Sequence, residues 1–258
     1  MGMSYKGAIS FGLIYIPITL YNVIRSNDIS FNLIEKRTMS RVQYKKTCVD
    51  CNNQEVKSDD IVKGYEYEEG KYVVFESDDF EKIKSKKDKN ITIEQFVNLS
   101  DIDPIYYDKA YYVVPNKGAT RAFGLLKGAM EQEKKVGIAR TVLGTKETLI
   151  AIRVKDGKMY LNTMHFDEEV QPSPYLEENI KLEKPELTLA ITLINTMTKP
   201  FRPEDYRDEY RLKIENAIQA KIAGRDIVVR EDAEANPALD LMSALQQSLQ
   251  NMETSARA

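Results

Sequence analysis

The sequence predicts a mainly β chain of the α+β class: a barrel of short strands, a cysteine-bearing ribbon and a helical C-terminal arm. Three observations predict it. Apolar residues alternate through the first 23 positions and in short segments as far as about residue 165, with turn residues between them. The apolar period turns helical after about residue 185. The two cysteines of the chain stand three residues apart, directly after the basic stretch KRTMSRVQYKKT at 36–47.

Ile9, Phe11 and Leu13 share one parity, and Ile14, Ile16, Ile18 and Leu20 share the other, which predicts a bulge or bend in one long strand with Pro17 at an edge or corner. Lys71–Phe75 follows the turn Glu68-Glu69-Gly70, residues 109–114 are rich in Tyr and Val, and 149–154 meets 159–164 across Asp156-Gly157, a hairpin signal. One helix interrupts the strands. Ala122, Phe123, Leu125, Leu126, Ala129 and Met130 recur at helical spacing, which puts Arg121, Lys127 and Lys134 near the wetter side.

The core region is predicted to end at about residue 184. From Pro185 a helix carries Leu187, Ala190, Ile191, Ile194 and Met197 until Lys199-Pro200. A second carries Tyr206, Tyr210, Ile214, Ile218 and Ile222 and stops at Gly224. That seam suits either the surface of the chain's own barrel or a symmetric dimer. Residues 230–235 read as an acidic linker, so the arm covers 185–229 and the tail 230–258. In the tail, Leu241, Met242, Leu245 and Leu249 share one face of a short helix, fit to dock in a partner's groove or to fold back on the core.

With 42% hydrophobic and 30% charged residues in 258, the composition is that of a soluble globular protein able to bury a substantial core. No apolar run approaches the roughly 20 residues of a membrane span, and the N-terminus has no apolar signal core. The expected compartment is the cytoplasm, where a structural disulfide is disfavoured. The net charge of −3 conceals an uneven distribution: residues 231–258 carry −4, which leaves +1 for the remainder. Two basic stripes stand on that nearly neutral body. One holds Lys36, Arg37, Arg41, Lys45 and Lys46 with no acid between them, and the other runs from Lys117 to Lys146 through Arg121, Lys127, Lys134, Lys135 and Arg140.

No catalytic constellation is legible. Neither glycine-rich phosphate loop nor H-E-x-x-H occurs, and the one histidine, His165, sits beside Asp167, Glu168 and Glu169 in what reads as a solvated acidic turn. Cys48-Val49-Asp50-Cys51 has the spacing of one zinc-ribbon knuckle, and Asn52-Asn53 suits the left-handed turn such a knuckle needs. Zinc wants four ligands and this chain offers two cysteines. A structural zinc completed across a dimer and a ribbon held by hydrogen bonds alone therefore both stay open, and a redox pair has no thioredoxin-like surroundings to support it.

The blocks KGAISFGLIYIPITLYNV (6–23), DIVKGYEYEEGKYVV (60–74), KVGIARTVLGTKETLIAIR (135–153), PELTLAITLINTMTKPFRPEDYRDEY (185–210) and DLMSALQQSL (240–249) resemble, in order, those of the bacterial Ku proteins of non-homologous end joining. The resemblance implies a Ku-core β-barrel, a zinc-ribbon-like bridge over the duplex inserted into it at about 36–62, and a helical arm that embraces a partner. It implies a homodimeric ring threaded by a double-stranded DNA end, associated with the nucleoid and without enzymatic activity, that recruits a multifunctional ATP-dependent DNA ligase of the ligase D type. On that reading the bridge cations line the channel, with Arg121, Lys127, Lys134, Lys135 and Arg140 as a second set that rests mainly on charge; Tyr206, Tyr210, Ile214 and Ile218 serve dimerisation, and the tail helix meets the ligase. Two other classes remain in view: a monomeric module that stacks single-stranded nucleic acid on some of its 15 tyrosines, and a nuclease built on Asp167 to Glu169.

Overall fold

The computed structural model describes residues 3–83, 90–143, 146–174 and 182–227. The chain divides into two units, Met1–Pro172 and Ser173–Ala258.

The first unit is built on a closed barrel of seven strands: β1 (Met3–Phe11), β2 (Ile14–Asn22), β7 (Ile91–Asn98), β8 (Tyr107–Pro115), β9 (Lys135–Leu143), β10 (Lys146–Lys155) and β11 (Lys158–Met164). Its order is β1-β2-β8-β11-β10-β9-β7. A short parallel pairing of Ile9 with Ile91 and of Ser10 with Thr92 closes it, while the other neighbours are antiparallel. Closure leaves the barrel without edge strands.

The parity change near residue 13 is a tight hairpin, not the predicted bulge. Phe11 pairs with Ile14 across Gly12-Leu13, and Gly12 takes φ +56°, a left-handed value that glycine adopts without a steric penalty. A two-residue turn reverses the chain and changes parity, as a bulge would, so alternation alone does not separate the two. Pro17 lies where the β2–β8 ladder ends, one residue from the Ile18–Pro115 pair, and its carbonyl accepts the N–H of Asn116 at 2.9 Å. That is a corner, as predicted. The Asp156-Gly157 turn is likewise observed, with Lys155 opposite Lys158 and φ of +51° and +67° at the two turn residues.

Ile9, Ile16, Ile18, Ile91, Ile150, Ile152 and Leu161 are fully buried in the main core. Helix α2 (Thr120–Gln132) contributes Leu126 and Met130 to it, whereas Leu125, counted above with the apolar side, is 66% exposed. Deeply buried aliphatic side chains at alternate positions of adjacent strands supply the main stabilisation, at roughly 1.5–3 kcal/mol each.

Between β2 and β7 the chain leaves the barrel. The excursion holds β3 (Thr47–Cys48) paired with β4 (Gln54–Glu55), then β5 (Lys63–Glu68) paired with β6 (Lys71–Phe75), and helix α1 (Ser77–Ile83). The strand at Lys71–Phe75 therefore pairs outside the barrel, beyond the 36–62 range expected of the insertion.

In the second unit, α3 (Lys184–Met197) begins with Pro185 in its first turn, and α4 (Glu209–Ile222) is capped by the Asp208 carboxylate, which accepts the N–H of Arg211 at 2.8 Å. Tyr206 is therefore not on the helix but precedes it, after a 3-10 turn at Pro203–Asp205. Gly224 ends α4 with φ +69°. No helix among the described residues is long and apolar enough to cross a membrane.

Candidate nucleic-acid interface

Throughout residues 31–46 every side chain is exposed. The first basic stripe thus stands on an extended arm, presented to solvent by local hydrogen bonds. Ile34 bridges to Arg41, and the loop between them is tied by Glu35 N–H to Ser40 O and Met39 N–H to Glu35 O, both 2.8 Å. The Glu35 carboxylate accepts the backbone N–H groups of Arg37 (2.9 Å) and Thr38 (2.6 Å), and Met39 takes φ +56°. Hydrogen bonding from the Thr38 side chain, then from those N–H groups, holds the Glu35 carboxyl below the usual carboxylate range. Its charge is spent within the loop, and Lys36 and Arg37 ride on the turn it makes.

Lys45 and Lys46 lead into the cysteine knuckle. Val56 N–H donates to Lys46 O at 2.9 Å, Cys48 pairs with Gln54, and Asn53 N–H donates to Cys48 O at 3.0 Å. Asn52 and Asn53 both adopt the predicted left-handed conformation, with φ of +52° and +57°. Lys45 Nζ meets Glu55 Oε2 at 2.6 Å across the ladder, with both side chains more than half exposed. Such a pair is easily exchanged for a phosphate.

Cys48 is half-buried and Cys51 exposed, and both thiols are free. They share a hydrogen bond that lowers the pKa of Cys48 and raises that of Cys51. Among the described residues no group of three or more His, Cys, Asp or Glu side chains is gathered as for a metal. The pair fits half of a structural zinc site.

The second basic stripe is divided. Arg121 stands exposed on the first turn of α2, and Lys134 is exposed in the helix-to-strand turn with φ +53°. Lys127 donates to Gly157 O at 3.0 Å and Lys135 to Asn98 Oδ1 at 2.7 Å. Arg140 is held between two carboxylates, Glu94 at 2.8 Å and Glu147 at 3.7 Å, and the hydrogen bond to Glu94 raises its pKa further. Lys146, at the end of the stripe, is likewise paired with a carboxylate, Glu169. Three cations that no basic run marks, Arg153, Lys155 and Lys158, meet near the β10–β11 turn. Period-2 alternation with both lysines beside Asp-Gly was the available signal for them.

Two of the acids beside His165 have partners of their own, and Glu169 also lies 3.7 Å from His165 Nδ1. The Tyr106 hydroxyl donates to Asp167 at 2.8 Å, and Glu169 accepts the Phe166 N–H at 2.9 Å and pairs with Lys146. Hydrogen bonding from Lys146 holds the Glu169 carboxyl low.

On the arm, Tyr206 and Tyr210 are more than 70% exposed and Ile214 and Ile218 half-buried, while Leu187, Ile191, Ile194 and Met197 of α3 are also exposed. Leu241, Met242, Leu245 and Leu249 lie outside the described residues.

A family model described as the Ku70/Ku80 beta-barrel domain matches residues 10–189. A protein of Lachnoclostridium phytofermentans named non-homologous end joining protein Ku is 41% identical over 251 residues, covering 97% of each chain. A protein of the same name from Archaeoglobus fulgidus is 39% identical over 253 residues, covering 97% of this chain and 99% of its own. A third, from Symbiobacterium thermophilum, is 43% identical, and there the match spans 96% of this chain but 63% of the relative.

Proposed function

Since this chain belongs to the Ku family, we propose that it binds double-stranded DNA ends without sequence specificity, as a homodimeric ring, and serves break repair by non-homologous end joining. In this reading it protects and aligns ends, performs no chemistry on them, and recruits an ATP-dependent DNA ligase through the tail helix.

The observation that carries the reading is the basic stretch of the excursion from the barrel, where Lys36, Arg37, Arg41, Lys45 and Lys46 are all exposed and where, among the described residues, one carboxylate, Glu55, pairs with them. A protein that must accept any end has no sequence to read, so its contacts go to phosphate and sugar, and Lys and Arg supply them. Selectivity for ends then comes from topology: a closed loop passes onto duplex only where the duplex terminates. The exposed apolar residues of α3 and α4 supply the surface that a second copy would cover.

Competition between linear and relaxed circular duplex, with the mass of the free protein measured alongside, tests the proposal. The expected result is a dimer that prefers the linear form by a wide margin. A monomer, or equal affinity for closed circles, overturns the ring, and a preference for single strands would favour the stacking module instead.

A further inference from the structure

An apolar cavity opens beside the main core, and a bulge in β7 makes it. Ile93 pairs with Ala139 and Phe96 with Gly137, two positions of one parity on β9, with the register shifting between Ile93 and Gln95. The extra residue therefore turns Phe96 to the same side as Ile93. Gly137 leaves the room that the ring needs: a Cβ there would meet Phe96 Cε1 at 3.3 Å. Phe11, the last residue of β1, meets Phe96 edge to face, with ring centres 5.5 Å apart and planes at 85°. Both rings stay more than a third exposed. With Leu126, Ala129 and Met130 of α2 they line a cavity of about 240 Å³, whose remaining lining residues are Glu133 and Lys135.

Interiors are close-packed, and an apolar space of ~150 Å³ already holds a benzene ring, so this one has room for an aromatic or branched aliphatic side chain. The rim decides what else the guest must carry. Lys135 Nζ donates to the neutral Asn98 Oδ1 at 2.7 Å, which fixes the ammonium beside the cavity without matching its charge. Lys134, exposed with φ +53°, stands next to it. Among the described residues no carboxylate pairs with either lysine and no cation pairs with Glu133. A guest that satisfies the whole site has an apolar group with a carboxylate immediately beside it and an N–H donor. In a polypeptide only the C-terminal residue holds side chain, carboxylate and N–H on one Cα; an internal Asp or Glu carries its carboxylate on a different residue from the apolar group.

We propose that this cavity captures the C-terminal residue of a partner polypeptide, one that ends in an aromatic or branched aliphatic side chain. That side chain packs against Phe11, Phe96 and Met130, the α-carboxylate pairs with Lys135, and the last amide N–H donates to Glu133. Glu133 also repels a second carboxylate, so an acid in the position before the last is disfavoured. Lys135, counted above in the second basic stripe, thus has a carboxylate as its ligand. The site would bring a partner to the barrel without engaging the bridge or the tail helix.

The test titrates the full-length protein into the N-terminally labelled peptide Gly-Ser-Gly-Ser-Phe and follows anisotropy. The probe is used with a free C-terminal carboxylate, as its C-terminal amide, and with Ala in place of Phe. The free acid should bind about tenfold tighter than the amide and about tenfold tighter than the Ala peptide, as for the loss of one charge-assisted hydrogen bond or one buried side chain. In Lys135→Gln the ratio of acid to amide should fall to about one, a change that loss of scaffold alone would not produce. Ala129→Leu, which fills the cavity with a good helix former, should abolish binding while melting at the same or a higher temperature. If it melts lower, the ratio in Lys135→Gln decides. Equal binding of acid and amide by the unaltered protein, or no binding at all, overturns the proposal. So does displacement of the peptide by free phenylalanine at equal concentration, which would make the site one for a free amino acid. A changed mass of the free protein in Ala129→Leu would likewise overturn it, by assigning the cavity to a second copy of the chain.

Discussion

Charge reversal of Lys45 and Lys46 is the most direct probe of the bridge. Neither side chain carries the local fold: the knuckle is held by Val56 N–H to Lys46 O and Asn53 N–H to Cys48 O, both main-chain bonds, and the Lys45–Glu55 pair is exposed on both sides. Losing two phosphate contacts reduces the salt slope by about 1.8, so over a fourfold rise from ~50 to ~200 mM the salt-induced loss of affinity shrinks by about tenfold. Affinity at the lower salt falls several-fold or more, because glutamates also repel the phosphates. Fluorescence anisotropy on a short blunt duplex reads both quantities, with circular dichroism confirming the fold. The single changes to Gln should be unequal: Lys45 must leave Glu55 to reach a phosphate, whereas no carboxylate pairs with Lys46 among the described residues, so Lys46→Gln costs more. An unaltered slope together with unaltered affinity for the double reversal would refute the bridge as a DNA-contacting element.

Arg140→Gln should change duplex affinity less than twofold, since Glu94 and Glu147 already match its charge; the same anisotropy titration checks it. Leu161→Ala, at a fully buried core position, should lower stability by about 2–5 kcal/mol in urea denaturation. The Glu169 carboxyl is depressed below its ordinary value of 4.5, so its contribution to stability is present above that pH and disappears as pH falls through the folded-state pKa. Melting temperature should therefore drop more steeply below about pH 4.5 in the unaltered protein than in Glu169→Gln. Leu241→Glu with Leu245→Glu should leave duplex binding intact and abolish ligase stimulation in a joining assay; loss of duplex binding would make the tail structural.

Local features were legible wherever a few neighbouring residues decide the outcome. The left-handed pair Asn52-Asn53, the Asp156-Gly157 hairpin, the start of α3 at Pro185 and the stop of α4 at Gly224 all follow from backbone preferences of the residues themselves. The exposed bridge cations were legible because a run of charge without apolar partners has nothing to bury. Leu125 and Tyr206 were misplaced for the opposite reason: helical spacing continues past the point where packing or a cap ends its meaning.

By itself, then, the amino-acid order determined the strand and helix types, the knuckle, and the positions of the two basic stripes, since these depend on side chains a few positions apart. Only the tertiary structure decided that residues 11–14 make a hairpin, that Ile9 and Ile91 close the barrel, that Arg140 is matched by acids, and that Arg153 stands in line with Tyr160, Tyr112 and Tyr21. Ile9 and Ile91, Arg140 and Glu94, and Tyr160 with Tyr112 and Tyr21 are separated by long stretches of chain. Register between strands, set by the burial of one face of each, is what brings them together.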